Sequence, residues 1–189
     1  MNLSIAKEQL LTGLQAVQNV VSSRTTLPIL ANVLLRAEKG RLALTATDLD
    51  VTVSCEVEAQ VQKPGTATVP VKKLLGIVRE LNGGEIKLEV DDQHRCRIRA
   101  GALDYRLHGL PAEEFPPLPA FPEDRKVALP QETIAAMLKQ TAFAASTDES
   151  RYVLNGIYFS LKEHKLTLVA TDGRRLALAD TDAEVAEHS

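Results

Sequence analysis

The sequence predicts an α+β fold of antiparallel sheets with a few short helices. Three observations predict it. The chain repeats itself in register: Leu42-Ala43-Leu44-Thr45-Ala46-Thr47-Asp48 returns as Leu166-Thr167-Leu168-Val169-Ala170-Thr171-Asp172, 124 positions later. The same offset places Leu10 on Ile134, Leu14 on Leu138, Ser22 on Ser146, Leu30 on Leu154 and Val33 on Ile157, which marks a duplicated structural unit rather than a chance match. Short alternating segments separated by tight turns outnumber helical ones, and connections that short do not allow parallel crossovers.

The elements follow in order. Asn2 to Ile5 reads as a strand, and Leu10, Leu14, Val17 and Val21 recur at helical spacing, predicting a helix over 7–21. Ser22 to Pro28 breaks it. Strands are expected over 32–37, 41–46 and 49–57, with Glu38-Lys39-Gly40 and Lys63-Pro64-Gly65 as turns. A second, subtler echo follows: a strand over 66–69, a helix opened by Pro70 with Leu74, Leu75, Val78 and Leu81 on its buried side, a stop at Gly83-Gly84, and strands over 85–90, 95–100 and 103–110. Residues 1–120 thus read as two βαβββ half-units with helices on one face of the sheets. Five of the nine prolines (Pro111, Pro116, Pro117, Pro119 and Pro122) then mark a boundary. Residues 121–189 restart the pattern: a strand over 126–129, a helix after Pro130 with Ile134, Met137, Leu138 and Thr141 inward, and three strands to Asp180. Ser189 corresponds to Gly65, so the chain reads as a fragment, or a shortened relative, of a longer repeat protein.

Composition excludes several classes. Hydrophobic residues make up 44% but aromatics 4%, with no Trp, so the core is aliphatic. No apolar run approaches the ~20 residues of a membrane span, the N-terminus lacks signal-peptide order, and Cys55 and Cys96 suggest no disulfide framework. A cytoplasmic protein fits. A net charge of -3 argues against bulk-charge coating of nucleic acid, though not against one basic face. No phosphate-binding loop, nucleophile elbow or zinc-protease motif occurs, and His94, His108, His164 and His188 stand singly. Asp48 and Asp172 invite a catalytic reading. Turn chemistry accounts for them better, because no base or nucleophile repeats beside them. Two sets of residues remain. Arg24, Lys72, Lys73, Arg79 and Arg151 form either a solvated surface or loose phosphate contacts. Leu154, Thr171, Gly173, Arg174, Arg175 and Leu176 form either an apolar notch or ordinary core plus turn.

At these residues the sequence resembles the bacterial replicative sliding clamp, the beta subunit of DNA polymerase III. The resemblance is carried by Thr26-Leu27-Pro28-Ile29-Leu30-Ala31-Asn32, Thr45-Ala46-Thr47-Asp48-Leu49, Val69-Pro70-Val71-Lys72-Lys73-Leu74, Leu110-Pro111-Ala112-Glu113-Glu114-Phe115-Pro116, Arg151-Tyr152-Val153-Leu154-Asn155-Gly156 and Val169-Ala170-Thr171-Asp172-Gly173-Arg174-Arg175-Leu176. It implies the DNA-clamp fold, in which each domain is a doubled βαβββ unit, three domains make a protomer and two protomers close a ring. Residues 1–120 would be clamp domain 1 and 121–189 the first half of domain 2.

The resemblance also implies a non-enzymatic protein without cofactor or metal that encircles double-stranded DNA and tethers the polymerase. A topological tether needs little affinity, so an acidic protein suits it. The family's DNA-facing positions fall on Arg24, Lys72, Lys73, Arg79 and Tyr152. Val153 and Ala102 depart from the second tyrosine and the basic residue that relatives carry. The docking pocket for Gln-Leu-x-Leu-Phe-like motifs of polymerase and clamp-loader subunits falls on Leu154, Thr171, Gly173, Arg174, Arg175 and Leu176, its other wall belonging to later domains. The homodimer interface falls on Tyr105 and Leu107. A reading from another class is a truncated paralogue acting only as an interaction module for clamp-binding partners.

Overall fold

The computed structural model describes residues 1–21, 27–117 and 128–183, and the chain divides into two compact units at Pro119/Ala120. In the first unit the order is β1 (Asn2–Ala6), α1 (Lys7–Val17), β2 (Asn32–Glu38), β3 (Arg41–Thr47), β4 (Thr52–Glu58), β5 (Gln60–Lys63), β6 (Gly65–Pro70), α2 (Val71–Glu80), β7 (Glu85–Val90), β8 (Arg95–Ala100) and β9 (Leu103–His108). Two sheets form, ordered β5-β1-β7-β8-β9 and β4-β3-β2-β6. Every pairing within them is antiparallel.

Alternation decides which face each strand buries. In β1 Leu3 and Ile5 are inward, in β3 Leu42, Leu44 and Ala46, in β7 Ile86 and Leu88, in β8 Cys96 and Ile98. The helices supply Leu10, Leu14 and Val17 from α1 and Val71, Leu74, Leu75 and Val78 from α2, and all of these join one core. Lys7 ties the helices together. Its Nζ donates to the carbonyls of Arg79 (3.2 Å) and Leu81, putting a cation at the carbonyl end of α2.

Four expectations change. α1 ends at Val17 and continues only as a 3-10 turn over Gln18–Val20, where Asn19 and the β-branched Val20 and Val21 favour helix poorly. Val21 still reaches the core. β4 begins at Thr52 rather than Leu49, because Leu49 takes φ +84° in a turn. A further strand, β5, follows Ala59: its amide donates to the Gly40 carbonyl at 3.0 Å as the chain leaves one sheet for the other, where Leu3 faces Val61. The first half-unit therefore has four strands after its helix. Finally, β9 ends at His108, and Gly109 turns the chain so close to the Thr68 carbonyl that no Cβ fits there.

The second unit holds α3 (Gln131–Thr141), β10 (Tyr158–Lys162), β11 (Lys165–Thr171) and β12 (Leu176–Asp182), the strands forming one antiparallel sheet in that order. Met137, Leu166, Leu168, Ala179 and Ala183 are its buried centre, with Ile134 and Leu138 packed at the margin. Thr141 is fully buried and satisfied by donating to the Met137 carbonyl at 2.9 Å. Of the strand expected over 126–129, Lys126 and Val127 lie outside the described residues, and Ala128 and Leu129 are not in a strand. A backbone at the fixed φ of Pro130 leads directly into α3 instead.

Candidate functional site

The two copies of Thr-Asp fold into the same turn. In the second unit Thr171 Oγ1 donates to the Arg175 carbonyl (2.7 Å) and accepts from the Gly173 amide (3.0 Å), while Asp172 Oδ1 accepts from the amides of Arg174 (2.9 Å) and Arg175 (3.0 Å). In the first unit Thr47 and Asp48 make the same four bonds with Val51, Leu49, Asp50 and Val51, at 3.0, 3.1, 3.1 and 2.7 Å. Gly173 and Leu49 share φ +84°. Both aspartates are thus committed to backbone amides, as turn chemistry requires. The amides of Arg174, then of Arg175, hold the Asp172 carboxyl below its ordinary value near 3.8.

Before this turn the chain passes through a 3-10 segment, Glu149–Leu154, capped by Asp148 accepting from the Ser150 amide at 3.0 Å and closed by the Ser146 amide donating to the Leu154 carbonyl at 2.9 Å. Two concavities flank it. One, of about 420 Å³, is lined by Val153, Leu154, Gly156, Ile157, Tyr158, Val169 and Thr171 and is dominantly apolar. The other, of about 500 Å³, includes Phe143, Asp148, Arg151, Asp172, Arg174 and Arg175. Arg175 Nε pairs with Asp172 Oδ2 at 3.0 Å while its guanidinium lies 5.6 Å from the centre of the Phe143 ring. Arg151 Nη1 donates to the Asp172 carbonyl at 3.4 Å.

The six residues predicted for a docking notch are therefore divided. Leu154 and Thr171 line the apolar concavity, Arg174 and Arg175 line the polar one, and Gly173 and Leu176 line neither. Leu176 is instead 66% exposed on the outer face of the sheet. Sequence reasoning missed Val153, Ile157, Tyr158 and Val169. The repeat could have pointed to Val153 and Tyr158, which stand where the first unit has Ile29 and Leu34, beside the predicted Leu154 at the position of Leu30.

Lys72, Lys73 and Arg79 lie on the exposed side of α2, opposite its apolar stripe, and Arg79 Nη2 donates to Gln18 Oε1 at 3.3 Å. Among the described residues neither Lys72 nor Lys73 has an ion-pair partner. Arg24 lies outside the described residues. Tyr152 is 80% exposed. β9 is an edge strand, as an interface on it requires, yet its two named side chains differ although they share one face of the strand: Tyr105, opposite Ile98, is half-exposed, and Leu107, opposite Cys96, is buried in the core. Leu107 is thus a packing residue, not an exposed contact.

Among the described residues no three His, Cys, Asp or Glu side chains cluster as metal ligands would. Burial pushes the Cys96 thiol up to about 12, and burial with the Glu56 charge raises that of Cys55, so neither is a ready nucleophile. Among the described residues no helix is long and apolar enough to cross a membrane.

Comparison with known proteins follows the same division. Residues 1–119 match the DNA polymerase III beta subunit N-terminal domain, and residues 128–189 match its central domain. The chain is 42% identical over 189 residues to the beta sliding clamp of Caulobacter vibrioides, covering 97% of this chain and 51% of that protein. It is 37% identical to that of Haemophilus influenzae, covering 100% and 52%. The crystal structure of the DNA polymerase sliding clamp from Bacillus subtilis superposes with a TM-score of 0.93 at 30% identity, over 99% of this chain and 51% of that one. The chain spans about half the length of the relatives it matches, and it belongs to the DNA polymerase III beta subunit family, the beta sliding clamps.

Proposed function

We propose that this chain serves, within a complete clamp, to encircle duplex DNA and tether the replicative polymerase for processive synthesis, as a non-catalytic subunit in the cytoplasm. The observation that carries the reading is family membership over both units, 1–119 and 128–189. The first unit's contribution is a cationic helix side bearing Lys72, Lys73 and Arg79, with Arg24 and, from the second unit, Tyr152 as further DNA contacts. Such separate cations suit phosphate contact without base readout. Tyr105 on the β9 edge is the proposed contact to a second protomer. The second unit's contribution is the apolar concavity at Leu154 and Thr171, which also takes in Val153, Tyr158 and Val169, with Gly173, Arg174, Arg175 and Leu176 as further peptide contacts outside it. It would take short apolar motifs of polymerase and clamp-loader subunits.

Anisotropy of a labelled Gln-Leu-x-Leu-Phe peptide tests this reading on the chain as it stands. Each buried apolar anchor contributes about 1.5–3 kcal/mol, and association consumes part of that. Saturable binding with Kd of roughly 1 mM, equivalent to about 4 kcal/mol, is expected. Leu154→Asp should abolish it. Equal binding by the variant would remove the docking role from this concavity.

A further inference from the structure

The repeat allows the open concavity of the second unit to be compared with its counterpart in the first. Val153, Leu154 and Tyr158 correspond to Ile29, Leu30 and Leu34. In the second unit Val153 is 75% and Tyr158 63% exposed, whereas Ile29, Leu30 and Leu34 are 7%, 6% and 8% exposed. What closes the first site is the chain itself. Phe115, itself 6% exposed, packs with Ile29, Leu30 and Leu34 into a cluster separate from the main core, with Leu110 and Ala112 at its edge.

The covering segment is short and specifically held. At its start the Thr68 hydroxyl donates to the Leu110 carbonyl at 2.7 Å and accepts from the Leu110 amide at 3.0 Å and from Asn32 Nδ2 at 3.1 Å. A single 3-10 turn over Ala112–Glu114 then brings Phe115 down, its amide donating to the Ala112 carbonyl at 3.1 Å. The segment Leu110-Pro111-Ala112-Glu113-Glu114-Phe115 therefore sits on its groove as a peptide ligand does: a backbone-anchored leucine at one end, an aromatic anchor at the other, and acidic residues facing away between them.

We propose that the first unit contains a second docking groove for a short leucine- and phenylalanine-anchored peptide, at Ile29, Leu30, Leu34 and Thr68, which the chain's own Leu110–Phe115 segment occupies. The groove belongs to the same repeat position as the open concavity, and it is full only because its ligand is covalently attached. Attachment gives the segment a local concentration of about millimolar or more, which excludes a free competitor of similar affinity. Removing the aromatic anchor leaves the groove formed and vacant. The proposal stands on the observed occupancy of the first unit and does not depend on docking to the second.

The test uses a labelled Leu-Pro-Ala-Glu-Glu-Phe-Pro peptide, titrated by anisotropy into the chain, into Phe115→Ala and into Phe115→Ala/Leu34→Asp, each also carrying Leu154→Asp to silence the open concavity. Phe115→Ala should bind roughly tenfold or more tightly than the unaltered segment allows, and Leu34→Asp should cancel the gain. Amide shifts on binding should centre on Leu30, Leu34 and Thr68. A Phe115→Ala chain that melts cooperatively yet gains no binding overturns the proposal. If that variant does not melt cooperatively, hydrogen exchange of the original chain decides. The Leu110 and Phe115 amides should then exchange well before those of Leu35 and Leu44, as a segment that lifts off without unfolding its unit. Exchange of all four together overturns the proposal.

Discussion

At the scale of single residues, Asp172 shows how one carboxylate sets a local conformation. Its Oδ1 takes two amides and its Oδ2 takes Arg175, so the charged form is favoured and the carboxyl titrates below its ordinary value. A depressed folded value means that the contribution is present above the unfolded value near 3.8 and is lost as pH falls through the folded one. Acidification below about pH 4 should therefore loosen the 171–175 turn while the sheet persists, seen as shifts of the Arg174 and Arg175 amides. Asp172→Asn keeps an acceptor but no charge, so its turn amides should show no titration in that range. An unchanged titration in the variant would assign the effect elsewhere. The pairing of Thr with Asp was legible in the sequence as turn chemistry, since both copies carry it. That Leu49 would adopt the same φ +84° as Gly173 was not, because a glycine signals left-handed backbone and a leucine conceals it.

At the scale of elements, α2 carries the clearest division of labour. Val71, Leu74, Leu75 and Val78 face the core, while Lys72, Lys73 and Arg79 face outward. Replacing Lys72 and Lys73 by alanine removes two cations without touching that core. Weak duplex binding at low ionic strength should fall for every sequence alike, and the slope of log K against log salt should shrink by about two if both contact phosphate. An unchanged slope would take these lysines out of the DNA interface. Such helices were readable because apolar residues at 3.6 spacing have no other common explanation. β5 was not, since in Gln60-Val61-Gln62-Lys63 only Val61 is apolar, and it is only partly buried, so the segment leaves almost no apolar signature. The added lining residues of the apolar concavity were missed for a related reason. Val153 and Tyr158 look like surface exceptions in one copy, and their meaning comes from the buried Ile29 and Leu34 in the other.

At the scale of the whole chain, the two units are unequally completed. The first encloses both helices and two sheets around one core. In the second, β10 and β12 each have a single neighbour among the described residues, and Tyr158, Phe159, Leu176 and Leu178 remain more than half exposed. Open edges beside apolar side chains favour pairing between chains. Light scattering of this chain should therefore show mass rising with concentration over the micromolar range, and Leu178→Lys, on the outward face of β12, should reduce it. A monomer at all concentrations would show that the exposed strands are self-sufficient. Composition and periodicity announced an aliphatic antiparallel fold, and the internal repeat exposed its duplication. What they left open was which copy of a repeated surface is covered, because that depends on one residue, Phe115, arriving from 81 positions beyond Leu34.

The Thr-Asp turn has a further consequence. Its hydrogen-bond pattern is set by two side chains at its base and its first crest residue is left-handed in both copies, yet the crest side chains differ: Leu49-Asp50-Val51 in one copy, Gly173-Arg174-Arg175 in the other. Duplication thus left the chain with two turns of the same hydrogen-bond pattern and opposite crest charge. One backbone pattern presents an acidic crest to the surroundings from the first unit and a basic crest from the second.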